Sequence, residues 1–152
     1  MVAKEIWGNS CWYLFHATAF KLNPNAEHLI IPLLNLYISI SLNLPCPTCR
    51  SHASKTIAKT NFSLIKNKSD LVNLMFNYHN YINKRLKKNI FTKEEHDKLY
   101  SRAKLTKIIN GWIQIMSMES HNQQDMMNNI TKRKLIQRVI NFLKKNRAHF
   151  SP

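Results

Sequence analysis

The stretch Leu44-Pro45-Cys46-Pro47-Thr48-Cys49-Arg50-Ser51-His52-Ala53 lies between two helical segments, and that setting decides the fold. Upstream, residues 29–44 form an apolar run too long for an ordinary strand, which reads as a buried helix. Pro45 biases Leu44 away from the helical region and ends that run. Downstream, Cys46 opens a third helix to about residue 59, with Pro47 in its first turn, where proline is tolerated. Two cysteines three apart at a helix start face the same way and can close a small, reactive disulfide. The partial positive charge of a helix N-terminus favours a thiolate there. Thioredoxin-like enzymes place such a pair in a strand–helix–strand unit. Here the surroundings are helical on both sides.

The helical reading extends outward. Trp12, Phe15, His16 and Ala19 recur at helical spacing and predict a first helix over about residues 9–20, broken by Asn23-Pro24-Asn25. Ser69-Asp70 caps a fourth helix with the stripe Leu71, Leu74, Met75, Tyr78, His79, Ile82 and Leu86. Thr92-Lys93-Glu94-Glu95 is a capping box that starts a short fifth helix. Leu105, Ile108, Ile109, Trp112, Ile113 and Met116 form a further stripe. Another lies within residues 130–145, after a polar break over residues 119–129. The expected class is therefore all-α: a four-helix bundle with a short fifth helix, and a helical extension from residue 106 onward.

Composition narrows the chemistry. The 152 residues suffice for one domain with a hydrophobic core, and 44% of them are hydrophobic. Only two glycines occur, Gly8 and Gly111. That excludes the glycine-rich turns of Rossmann folds and P-loops, so a nucleotide would be held some other way. The net charge of +15 is spread along the chain and attracts polyanions without locating a site for them. No stretch reaches the ~18 apolar residues of a membrane span, and the start lacks a signal-peptide core. Three cysteines do not make a disulfide framework. Cys11, without a sequence partner, reads as a buried, inert thiol.

Two readings of Cys46 and Cys49 remain open at this point: a redox pair, or half of a zinc site. A structural zinc site needs about four ligands, and no second Cys-x-x-Cys or His pair at the usual spacing is present. His79 and Asn83 share one side of the fourth helix, with Asn80 beside them and Lys87-Lys88 at its end. Together they offer neutral hydrogen bonds and positive charge to a polar ring and a pyrophosphate. Trp12 and His16, one helical turn apart, offer aromatic faces to a planar ring.

Three elements in this order resemble the Erv/ALR family of flavin-linked sulfhydryl oxidases. They are Trp7-Gly8-x-x-x-Trp12-x-x-x-His16, the Cys46/Cys49 pair opening the third helix, and His79-Asn80-x-Ile82-Asn83-x-x-Leu86-x-Lys88. The resemblance covers about residues 6–103, which suggests a domain at residues 1–105 and an extension at 106–152. That extension would lie in a dimer interface or pack on the core. The run from Pro45 to Ala53 is most similar to the short forms encoded by large DNA viruses. Departures are Leu74, where a tryptophan is usual, and Phe20 in place of a tyrosine.

The resemblance implies an FAD-dependent thiol oxidase. Substrate dithiols would reduce the Cys46–Cys49 disulfide, and electrons would pass through FAD to oxygen, giving hydrogen peroxide. It implies cofactor contacts from Gly8, Trp12, His16, Cys49, His79, Asn80, Asn83 and Lys88, with Lys87 as a second cation. It implies a homodimer acting on dithiol proteins or a small relay protein, in the host cytoplasm and virion if the source is viral. Lacking a second Cys-x-x-Cys, the chain would meet its substrate directly at Cys46. The rival is a basic helical nucleic-acid-binding module with a zinc-bound cysteine pair. A third reading is a relative that kept the bundle and lost the flavin.

Overall fold

The computed structural model describes residues 4–118 and 126–152. Seven α-helices occur among the described residues, with no strand beyond one isolated bridge between Leu22 and Phe150. They are α1 (Lys4–Lys21), α2 (Ile30–Ser41), α3 (Pro47–Lys59), α4 (Lys68–Arg85), α5 (Lys93–Arg102), α6 (Leu105–Met116) and α7 (Met126–Lys145). The all-α class is the one the apolar spacing calls for.

Helix α1 is the central element. From Leu14 to Ala19 every residue is buried, so this half of the helix has no solvent face. Neighbours therefore surround it: α4, α5 and α6 all pack against α1. Ala17 and Ala19 leave room for them, and Thr18 satisfies its hydroxyl against the Leu14 carbonyl (2.7 Å) and the Tyr37 hydroxyl (2.6 Å). Helix α2 is apolar almost throughout, as a helix between layers must be, and packs against α3 and α7.

Helix ends follow local chemistry. Cys46 is the N-cap of α3, and its sulfur accepts from the Cys49 backbone N–H at 3.2 Å. The start of α4 differs from the expected cap at Ser69-Asp70. Asn67 is the N-cap, and Asp70 sits three residues in, closing a capping box. An Asn at the N-cap satisfies the first free N–H groups as well as serine does, and Asp70 reaches back to the Asn67 N–H. The Thr92/Glu95 box at α5 forms as the sequence indicates. Helix α1 begins at Lys4, earlier than the apolar periodicity alone suggests. Part of the polar break before α7, residues 119–125, lies outside the described residues, and α7 itself already begins at Met126.

Helix α6 folds back along α1, burying Leu105, Trp112 and Met116 in the same core as Leu14 and Ile30. Leu135, Ile136, Val139 and Leu143 of α7 join that core. The final residues lie against the end of α1. Asn23 N–H donates to the His149 carbonyl (2.8 Å), Ser151 N–H to Lys21 (2.7 Å), and Leu105 N–H to Pro152 (3.0 Å). No described helix is long and apolar enough to cross a membrane.

Candidate active site

A cavity of about 450 Å³ opens where α1, α3 and α4 converge. That is within the size range of small-molecule and cofactor sites. Its wall joins three separate stretches of sequence: Gly8 and Trp12 from α1, Cys49 and His52 from α3, and His79 and Asn83 from α4, with Lys88 just beyond.

The redox pair sits at one edge. Cys46 and Cys49 are disulfide-bonded, with Cα atoms 5.1 Å apart. Cys49 lines the cavity, whereas Cys46, at the helix cap, does not. The two sulfurs are thus differentiated: one faces inward, and the other holds the N-terminal end of α3. A backbone N–H already aimed at the Cys46 sulfur, at a helix N-terminus, stabilises negative charge there. Arg50 donates to the Leu44 carbonyl at 2.5 Å, which ties the Cys-x-x-Cys turn to the end of the preceding segment.

Another part of the wall is aromatic. The His79 ring stacks on the Trp12 indole at 4.1 Å between centroids and 7° from parallel. Tyr78 meets Trp12 edge-on at 5.5 Å. Below them a polar line begins, since His16 Nε2 and His79 Nδ1 are 2.8 Å apart. His16 is 1% exposed and stands behind the wall, not in it. Burial lowers its pKa to about 2, helped by the neighbouring His79 and His96. Burial, with Lys88 and His96 nearby, lowers His79 to about 4. Both rings are neutral at neutral pH.

Asn83 is 8% exposed and lines the cavity, and its amide makes no hydrogen bond to a described residue. The amide is open to the cavity, where its donors and acceptor are available to a ligand. Asn80 has a different duty. Its Nδ2 donates to the Phe91 carbonyl (2.9 Å) and its Oδ1 accepts from the Phe91 N–H (3.3 Å), which pins the α4–α5 connection. Lys88 lines the cavity but Lys87 does not. Lys87 is the left-handed residue (φ 55°) of a Schellman turn in which Lys88 N–H donates to Asn83 C=O at 2.8 Å. The turn is what brings Lys88 to the wall.

Gly8 borders the cavity, and a Cβ added there would meet no protein atom within 4 Å. Packing within the chain therefore does not require a glycine at this position. Cys11 is buried in the cavity floor and, unlike Cys46 and Cys49, is a free thiol, pushed to about 12 by burial. Leu74 lines a separate apolar cavity of about 70 Å³ between α2, α3 and α4. The Phe20 ring rests edge-on against His96, 6.1 Å away.

Sequence reasoning overlooked His96 and Asp97. His96 is 1% exposed and links to His16 and Asp97. The missed signal is small: a histidine placed on the inner face of a helix whose ends are otherwise charged. Among the described residues no three His, Cys, Asp or Glu side chains are placed to share a metal ion. The zinc-bound module therefore gains no support from the geometry.

The chain is similar to proteins of one known family. A model of the Erv1/Alr family matches residues 9–101. An FAD-linked sulfhydryl oxidase of African swine fever virus, from a Kenyan pig isolate, is 31% identical over 107 residues, covering 69% of this chain and 88% of that protein. The counterpart from a Malawian tick isolate is 30% identical over the same shares. A protein of Invertebrate iridescent virus 3, described as a candidate FAD-linked sulfhydryl oxidase, is 30% identical over 86 residues. In that case the chain spans little more than half, 58%, of the relative's length. No solved structure matches significantly.

Proposed function

The chain belongs to the Erv1/Alr family, and from that membership we propose that it is an FAD-dependent thiol oxidase that makes disulfides in protein substrates. The observation that carries this reading is the shared cavity: the inward sulfur of a Cys-x-x-Cys disulfide faces an aromatic, amide-bearing and cationic wall.

The residues fit FAD. Trp12 and His79 supply flat faces for a planar ring, Asn83 supplies an unpartnered amide, and Lys88 supplies a cation for a phosphate. Gly8 leaves the wall open. We assign direct cofactor contact to Gly8, Trp12, Cys49, His79, Asn83 and Lys88. His16 and Asn80 act from behind, one holding the His79 ring and the other the Phe91 connection. When bound, FAD accepts two electrons from the reduced pair and delivers them to oxygen, yielding hydrogen peroxide.

The protein's own step is thiol–disulfide exchange. A substrate thiolate attacks the Cys46 sulfur, forming a mixed disulfide and expelling Cys49 as a thiolate at the cavity wall. The second substrate thiolate attacks the substrate sulfur of that mixed disulfide, releasing Cys46 as a thiolate beside the N–H groups that open α3. The substrate leaves oxidised by two electrons, and the Cys46/Cys49 pair holds them. Separating the duties matters: Cys46 meets the protein partner, and Cys49 faces the cavity.

Within this reading the catalytic unit ends near residue 105, close to where the family match ends. The partner is a dithiol protein substrate or a small relay protein. The chain works as a homodimer, and a viral source, to which its viral relatives point, puts it in the host cytoplasm and virion.

The visible spectrum tests the core of the proposal. The purified protein is expected to be yellow, to bleach on adding a dithiol without air, and to recover with oxygen uptake. Cys49→Ser should keep the colour and lose turnover. A colourless protein that FAD cannot reconstitute sinks the reading.

A further inference from the structure

Three histidines from three helices form one hydrogen-bonded line that ends at the cavity. Asp97 Oδ1 lies 2.8 Å from His96 Nδ1. His96 Nε2 lies 3.3 Å from His16 Nδ1. His16 Nε2 lies 2.8 Å from His79 Nδ1. The outer end is at the surface, where Lys93 Nζ is 2.6 Å from the same Asp97 oxygen. The inner end is the His79 ring at the cavity wall, and its Nε2 makes no hydrogen bond to a described residue.

A line of this kind has only one consistent polarity. An ionised carboxylate can only accept, and a neutral imidazole has one N–H and one lone pair. Asp97 therefore takes the Nδ1–H of His96, which leaves His96 Nε2 as a lone pair. That lone pair requires an N–H on His16 Nδ1, which leaves His16 Nε2 bare. His16 Nε2 then requires an N–H on His79 Nδ1. The last free nitrogen, His79 Nε2, is left as an acceptor.

The surroundings keep each ring neutral. Burial depresses all three rings, and the cations Lys93 and Lys88 oppose a further positive charge at the two ends. Asp97 alone favours charge on His96, and burial of that ring opposes it. Slight burial pushes the Asp97 carboxyl up, but Lys93 and His96 hold it below its ordinary value, so it remains an anion.

We propose that Asp97 and His96 are positioning residues that fix the tautomer of His79, so that His79 Nε2 accepts a hydrogen bond from an N–H or O–H of the bound cofactor. An acceptor here selects the donor edge of a ligand, because a carbonyl or phosphate oxygen would set lone pair against lone pair. The ligand's identity rests on the flavin reading above. The polarity of the line does not.

The test uses the full-length protein as purified, labelled with nitrogen-15, with histidine tautomers read from two-bond nitrogen–proton correlations. His79 is expected to carry its proton on Nδ1. Asp97→Ala, at a half-exposed position that should not unfold the chain, is expected to abolish the single His79 tautomer and to weaken FAD binding about three- to tenfold, as for loss of one hydrogen bond. Glu94→Gln removes the same charge from the same helix and should change neither. A wild-type His79 protonated on Nε2 overturns the proposal. So does an Asp97→Ala protein that matches Glu94→Gln in tautomer or in FAD affinity. A colourless wild type that FAD cannot restore sinks the flavin reading and the ligand half of this inference, while the tautomer measurement still decides whether Asp97 sets His79.

Discussion

The imidazole of His79 lies face to face with the indole of Trp12, 4.1 Å between centroids, although the two residues are 67 positions apart in the chain. The stack makes part of the cavity wall from α1 and α4, in the same cavity that Cys49 lines. Trp12→Ala should remove that surface. Stacked aromatic pairs contribute about 0.5–1.5 kcal/mol beyond area burial. FAD affinity should therefore fall by about two- to tenfold, with Trp12→Phe losing less. Fluorescence titration of FAD checks this, and equal affinities for the two variants would remove Trp12 from the site.

Stability should fall with acidification. His16 at about 2, His79 at about 4 and the lowered His96 all have folded pKa values beneath the ordinary imidazole value. The unfolded chain therefore binds protons at these positions before the folded chain does. The neutral rings contribute their stability in full above about pH 6.5, and it is lost as the pH falls from there toward 4. Thermal melts should show Tm nearly level from pH 8 to 7 and dropping steadily from pH 6.5 to 5. A Tm that rises on acidification would contradict the buried neutral line.

Lys87→Gly separates conformation from binding. Lys87 holds a left-handed backbone at φ 55°, where an L side chain costs about 1 kcal/mol relative to glycine. The variant should raise the melting temperature and leave FAD affinity unchanged, because the Lys87 side chain is outside the cavity wall. Lys88→Ala should do the reverse, weakening FAD binding several-fold with little effect on stability.

Trp112→Ala should show that the C-terminal helices are part of the core. Trp112 is 1% exposed and lies on α6, which packs along α1. Emptying a buried tryptophan site costs about 3–5 kcal/mol. Denaturant melts should show one cooperative transition at lower midpoint, with loss of bound flavin in the same transition. Two separate transitions would mean that α6 and α7 melt independently of the site.

The sequence alone determined the helical class, because apolar spacing at three and four residues is set by the helix itself and needs no partner. It also placed the Cys46–Cys49 pair at a helix start, since Pro47 and a three-residue spacing set two sulfurs on one side, while leaving a redox pair and half of a zinc site as readings of those residues. Trp12, His79 and Asn83 could be singled out by residue type and by the family resemblance. Tertiary structure decided the rest. Only packing could show that Asn80 and Lys87, beside true wall residues in sequence, are spent on the Phe91 connection and on a helix end. Only packing could show that α6 covers α1. The line from Asp97 to His79 depends on rotations and separations among α1, α4 and α5. Hydrogen bonds of 2.8–3.3 Å across three helices are properties of that assembly, and no spacing along a single helix encodes them.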